Sequence, residues 1–166
     1  MKKKLLLLLL LVANTALSAF AINKKPFTIP EVKQWKGAEG ELALSGRIVC
    51  NGAEERQVAQ QLADDYRLMF GTTLSVSQGK AKKGDIVLSL KGAKTLGEEG
   101  YTMAITGKVN IAAANRKGLY WGTRTLLQLA EQNEKHALPC GFISDMPDYP
   151  FRGFMLDCGR KFFSMD

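Results

Sequence analysis

Apolar residues recur along this chain with two different periods, and the places where the period changes mark its elements. Val58, Leu62, Tyr66 and Met69/Phe70 return every three to four positions, the spacing of one helix face, and Gly71 stands where a left-handed C-terminal cap belongs. Asn51 with Glu54 three residues later has the form of a capping box, so a helix is predicted over roughly 53–70. A second helix is predicted over 115–133, capped by Asn115, with Leu119, Thr123, Leu126/Leu127 and Ala130 on one face. Gly118 and Gly122 lie beside that stripe and allow close approach to a neighbouring sheet.

Between the helices the period drops to two, the signature of strands with one buried face. "TLSVSQ" (73–78) and "DIVLSL" (85–90) are strand-like. Tyr101, Met103 and Ile105 alternate, Gly107-Lys108 supplies a turn, and Val109, Ile111 and Ala113 alternate on the way back, which predicts a hairpin. "ELALSGRIVC" (41–50) predicts two short strands around Ser45-Gly46, and "CGFISD" a last one before the prolines at 147 and 150. Residues 22–40, with Pro26, Pro30, Gly37 and Gly40, show little periodicity and are expected to be an extended leader. The resulting fold class is α/β, an α+β sandwich: a mixed sheet with both helices on one face, because each helix shows a single apolar stripe.

The first 21 residues have a different logic. Lys2, Lys3 and Lys4 precede the run Leu5 to Leu11, and Ala19-Phe20-Ala21 offers an A-x-A cleavage site, together a secretory signal peptide. A membrane-spanning anchor needs roughly 20 apolar residues, and Asn14, Thr15 and Ser18 interrupt too early. Export to the periplasm or medium is expected, with no stable membrane span after cleavage. Losing three lysines lowers the formal charge from +7 to +4. The remaining basic residues are scattered among acids, so no nucleic-acid footprint is expected. Cys50, Cys140 and Cys158 are odd in number and widely spaced, which fits free thiols better than a disulfide framework or a zinc site.

Self-contained chemistry is not visible in the sequence. Neither G-x-G-x-x-G nor G-x-x-x-x-G-K-[ST] occurs, so no phosphate-cradling loop is expected. His136 is the single histidine and lies in a polar segment, where a solvated side chain is expected. Asp64-Asp65 diverge by about 100° on a helix, and Glu98-Glu99 sit at a turn; all four are expected on a solvated surface. No catalytic residue, metal ligand or cofactor is assigned.

Residues 147–166, "PDYPFRGFMLDCGRKFFSMD", change the picture. "FRGFMLDCGRKFF" (151–163) resembles the first barrel strand of the family 20 glycoside hydrolases, the β-N-acetylhexosaminidases, which open their (β/α)8 barrel with R-G-x-M-L-D. "AANRKGLYWGTRTLLQL" (113–129) and "LGEEGYTMAIT" (96–106) are similar to the last helix and the hairpin of the small domain preceding that barrel. The resemblance covers roughly 40–166 and, after the signal peptide (1–21), implies an accessory domain (22–146) and the first strand of a truncated TIM barrel (147–166).

It further implies an exported enzyme that removes terminal N-acetylhexosamine from glycans by substrate-assisted retaining hydrolysis. In that family a D-E dipeptide supplies the residue that orients the 2-acetamido group and the general acid. No such dipeptide occurs here, so the chain alone is expected to be inactive. Arg152 matches the family's arginine that binds the C3 and C4 hydroxyls of the sugar, whereas Asp157 and Arg160 are expected to form a buried ion pair. Lys161 and Gly159 depart from the pattern, which leaves sugar preference open. Two other readings remain at this point: a stand-alone carbohydrate-binding or structural domain, and a family 84-like glycosidase with the same accessory domain. Oligomeric state is not legible.

Overall fold

A computed structural model describes residues 22–156, 159 and 164. Seven strands and two helices follow in the order β1 (Gln34–Leu42), β2 (Arg47–Val49), α1 (Ala53–Phe70), β3 (Ser75–Ser77), β4 (Ile86–Ser89), β5 (Tyr101–Ile105), β6 (Val109–Ala113), α2 (Arg116–Glu131) and β7 (Leu138–Asp145). They build one sheet ordered β1-β7-β5-β6-β4-β2-β3. The half from β6 to β3 is parallel, and the half from β1 to β6 is antiparallel. α1 is the crossover between the parallel neighbours β2 and β3; α2 carries the chain from β6 past β5 to β7.

The mixed sheet with both helices on one face is what the periodicity predicts. Val58, Leu62 and Tyr66 of α1 and Leu119, Leu126 and Leu129 of α2 share one buried cluster with Ile48, Ile86, Leu88, Met103 and Ile111. The alternate residues Thr102, Ala104, Asn110 and Ala112 face the other way and are half-buried. Two glycines set the spacing between α2 and the sheet. A Cβ on Gly118 would fall 2.2 Å from the Gly100 carbonyl oxygen, and one on Gly122 2.5 Å from Ile111 Cγ2. The helix therefore lies closer to the hairpin than any side chain at those positions permits.

Three local features differ from the sequence reading. Residues 34–40, expected as part of the leader, join Glu41 and Leu42 in the edge strand β1, paired antiparallel with β7. Its side chains are mostly exposed on both faces, so no hydrophobic alternation betrays it. Backbone pairing holds it, with Trp35 lying over Gly141, where a Cβ would come within 2.3 Å of the indole. The Trp35 indole N–H also donates to the Asn23 carbonyl (3.1 Å), and the Asn23 amide donates to the carbonyls of Gly40 (2.7 Å) and Cys140 (3.0 Å).

The second difference is the start of α1. Gly52, not Asn51, is the N-cap, without a side-chain bond. Gly71 does cap the other end at φ 67°, and Asn115 caps α2 by accepting from the Lys117 N–H at 3.1 Å. The third concerns residues 151–156, expected to open a barrel strand. They join no strand of this sheet; Phe151, Phe154 and Met155 are each more than 85% exposed. A strand needs a neighbour for its backbone groups, and no described strand of this sheet pairs with these residues.

Candidate glycan-binding cleft

The loop before β5, one edge of α2, the end of β7 and the segment before β1 enclose a cleft of about 360 Å³. Its most informative lining residues are Glu99, Tyr101, Trp121, Gln128, Tyr149 and Arg152. Each is placed by an element whose formation has a local cause. Tyr101 opens the hairpin and points inward with Met103 and Ile105. Trp121 and Gln128 lie on α2 outside its apolar stripe, so they reach the rim. Gln128 fixes the segment before β1 by a two-way bond, accepting from the Ile29 N–H (2.7 Å) and donating to the Ile29 carbonyl (3.1 Å).

The floor of the cleft is a buried hydroxyl network. The Tyr101 phenol meets the Thr125 hydroxyl at 2.6 Å and donates to Asp145 Oδ2 at 3.2 Å. Burial pushes the Tyr101 phenol well above its ordinary range, so it stays protonated at neutral pH and serves as a donor. The other oxygen of Asp145 accepts from the Lys33 N–H at 3.1 Å.

At the mouth stands Arg152, the residue that the sequence singles out. Its Nη2 donates to Glu99 Oε2 and its Nη1 to the Tyr149 carbonyl (2.6 Å), while the guanidinium carbon sits 5.9 Å from the centre of the Trp121 ring. Arg152 is 44% exposed at its side chain and Glu99 21%, so the carboxylate is the recessed partner and the guanidinium the outward one. The bond from Arg152 holds the Glu99 carboxyl below the usual carboxylate range, with the Trp121 indole contributing in the same direction. Glu99 therefore stays ionised and is not poised as a proton donor. Lys33 and Asp148 form a second ion pair across the cleft, at 2.6 Å. The arrangement can bind and orient a polar ligand.

Other residues weighed in the sequence fall elsewhere. Asp157, Cys158, Arg160 and Lys161 lie outside the described residues, so the expected pairing of Asp157 with Arg160 has no structural account. Asp65 is not simply solvated: it accepts from Arg124 Nη1 at 2.6 Å and ties α1 to α2. Glu98 pairs with Lys117 at 3.4 Å. His136 is half-buried rather than solvated, its ring 4.3 Å from that of Phe70 and its Nδ1 3.0 Å from the Ala130 carbonyl. Cys50 is buried and Cys140 half-buried, both with free thiols, and burial pushes each thiol up. Among the described residues, no helix is long and apolar enough to cross a membrane.

Sequence reasoning missed the partners of Arg152. Trp121 was discoverable as a tryptophan on the polar side of a helix. Glu99 was not, because its pairing spans 53 residues and resembles any turn carboxylate.

The sequence pattern of glycosyl hydrolase family 20, domain 2, matches residues 25–146. The chain belongs to glycoside hydrolase family 20. Among curated relatives, a beta-hexosaminidase of Porphyromonas gingivalis is 33% identical over 129 residues, which cover 71% of this chain and 17% of that protein. A beta-hexosaminidase of Akkermansia muciniphila is 37% identical over 79 residues, 46% of this chain and 16% of the relative. The chain thus spans about a sixth of the length of these relatives. Among solved structures, the N-acetyl-beta-hexosaminidase of Streptomyces plicatus superposes with a TM-score of 0.72 at 30% identity, over 86% of this chain and 30% of that one. The family 20 beta-N-acetylhexosaminidase of Streptomyces coelicolor gives 0.70 at 31% identity, over 81% and 29%. The two-layer sheet and helices described above are therefore the fold of domain 2 in family 20.

Proposed function

We propose that this chain is the domain 2 portion, with the opening of the catalytic domain, of an exported β-N-acetylhexosaminidase that removes terminal N-acetylhexosamine from glycans. In this reading the 2-acetamido oxygen of the substrate attacks the anomeric carbon, and an Asp-Glu pair beyond residue 166 orients it and protonates the leaving group. Arg152 donates to the C3 and C4 hydroxyls; a guanidinium suits the task because it presents its donors as a rigid fork. The observation that carries the reading is the outward placement of Arg152 at the mouth of an aromatic-walled cleft, in a chain whose residues 25–146 match domain 2 of this family.

Two measurements test it. The coding sequence downstream of codon 166 is expected to continue in frame and to include an Asp-Glu dipeptide. Purified 22–166 is expected to leave an aryl N-acetyl-β-glucosaminide intact, because no Asp-Glu dipeptide occurs in it. Turnover by 22–166 that survives repurification would sink the assignment. A stop codon directly after 166 would favour the second reading, a stand-alone binding or structural domain. The ion pairs Lys33–Asp148 and Glu99–Arg152, which attach the tail to the domain, support that alternative.

A further inference from the structure

Arg152 belongs to the segment after β7, yet its guanidinium is fixed by residues of domain 2. Three contacts converge on it from different elements: the Glu99 carboxylate in the loop before β5, the Trp121 ring on α2, and the Tyr149 carbonyl. The chain between β7 and Arg152 is itself anchored, because Asp145 is held by Tyr101 and Lys33, and Asp148 by Lys33. An arginine side chain ordinarily samples many rotamers, and fixing one carries an entropic cost. Here the charged bond to Glu99 offsets that cost, and Trp121 restricts the plane of the fork.

We propose that Glu99, with Trp121, is a positioning residue: it sets the direction of the Arg152 guanidinium so that the donors not used by Glu99 and Tyr149 face the sugar hydroxyls. The inference rests on the role of Arg152 given under the proposed function. It makes domain 2 a contributor to sugar binding through the arginine that it holds in place. Glu99 takes one Nη2 donor and Tyr149 one Nη1 donor, out of five N–H groups. Because Glu99 is the recessed partner, the pair presents the arginine outward rather than hiding it.

The test has a structural and a kinetic arm. In 15N spectra of this chain, the Arg152 side-chain Nη protons should be resolved and slowly exchanging; Glu99→Gln should collapse them, whereas Glu98→Gln, which removes the neighbouring carboxylate paired with Lys117, should leave them. In the active enzyme, Glu99→Gln should raise KM about tenfold, the scale of one lost bond to a charged group, with kcat changed less than about twofold. Glu99→Asp should recover part of that loss. Arg152 signals unchanged in Glu99→Gln would overturn the proposal whatever the activity. A collapsed signal with an unchanged KM, in an enzyme that Arg152→Ala impairs, would overturn positioning and leave the sugar-binding role of Arg152 standing. If Arg152→Ala has no effect on KM, the role of Arg152 fails and the inference with it.

Discussion

Asp85 is the most constrained charge in the described molecule. It is 1% exposed, accepts from Ser45 (2.7 Å), from the Lys82 N–H (2.6 Å) and from both the Nε (3.2 Å) and Nη2 of Arg47. The bond from Arg47 leads the effects that hold its carboxyl far below the usual carboxylate range. A carboxylate with a lowered folded pKa contributes stability that is complete above its unfolded value of about 4 and fades as pH falls below it. Asp85→Ala should therefore cost about 2 kcal/mol at pH 7, since it removes the shared acceptor of Ser45, the Lys82 N–H and Arg47. The gap between wild type and variant should shrink between about pH 4 and pH 2. Urea midpoints measured across that range check this; a gap independent of pH would show that the lost packing, not the charge, matters. Nothing in "GDIVLSL" distinguishes Asp85 from an ordinary turn aspartate, because Ser45 and Arg47 come from about 40 residues earlier.

At the scale of elements, α2 shows how glycine spacing decides packing. In most helices, exchanging glycine for alanine gains about 1 kcal/mol of propensity. At Gly118 the new methyl group meets a backbone carbonyl at 2.2 Å, which cannot rotate away, so an overpacking penalty of about 1–3 kcal/mol outweighs the gain. Gly118→Ala is expected to lower Tm by about 3–6 °C, read by calorimetry or circular dichroism. An unchanged or higher Tm would mean that α2 can lift from the hairpin without loss. Both helices and the 101–113 hairpin were legible in the sequence because each buries one face, and burial imprints a period on the residues. β1 was not, because an edge strand held by backbone bonds and one tryptophan imprints none. The cap of α1 was misplaced by one residue because Asn51 has the right chemistry, yet the helix starts from Gly52, where a Cβ would come within 1.9 Å of the Glu55 carboxylate.

For the whole molecule, the segment after β7 divides in two. Up to Arg152 it is tied down by Asp148 and Arg152. Beyond it, Phe154, Met155 and Leu156 are exposed at 89%, 88% and 57%. A contiguous apolar run of this kind drives association in water. We expect 22–166 to self-associate at micromolar concentration, and a chain ending at Gly153 to remain monomeric with the same Tm, as read by light scattering and calorimetry. Equal monomer content in both chains would show that the run has a place on the domain. The fork at Arg152 was half legible: the motif pointed to the arginine, and only the fold supplied the carboxylate beneath it.

The pairing of β1 with β7 joins residues about 100 positions apart and closes one side of the sheet. On a ribosome, β1 emerges first of the described strands and its partner β7 last. The strand that begins the domain must then wait, unpaired, until nearly the whole domain has appeared. Non-local pairing of this kind slows folding and defers it until the late strand arrives. Closure of this edge of the sheet is therefore expected late in synthesis, on the same stretch of chain that delivers Arg152 to Glu99.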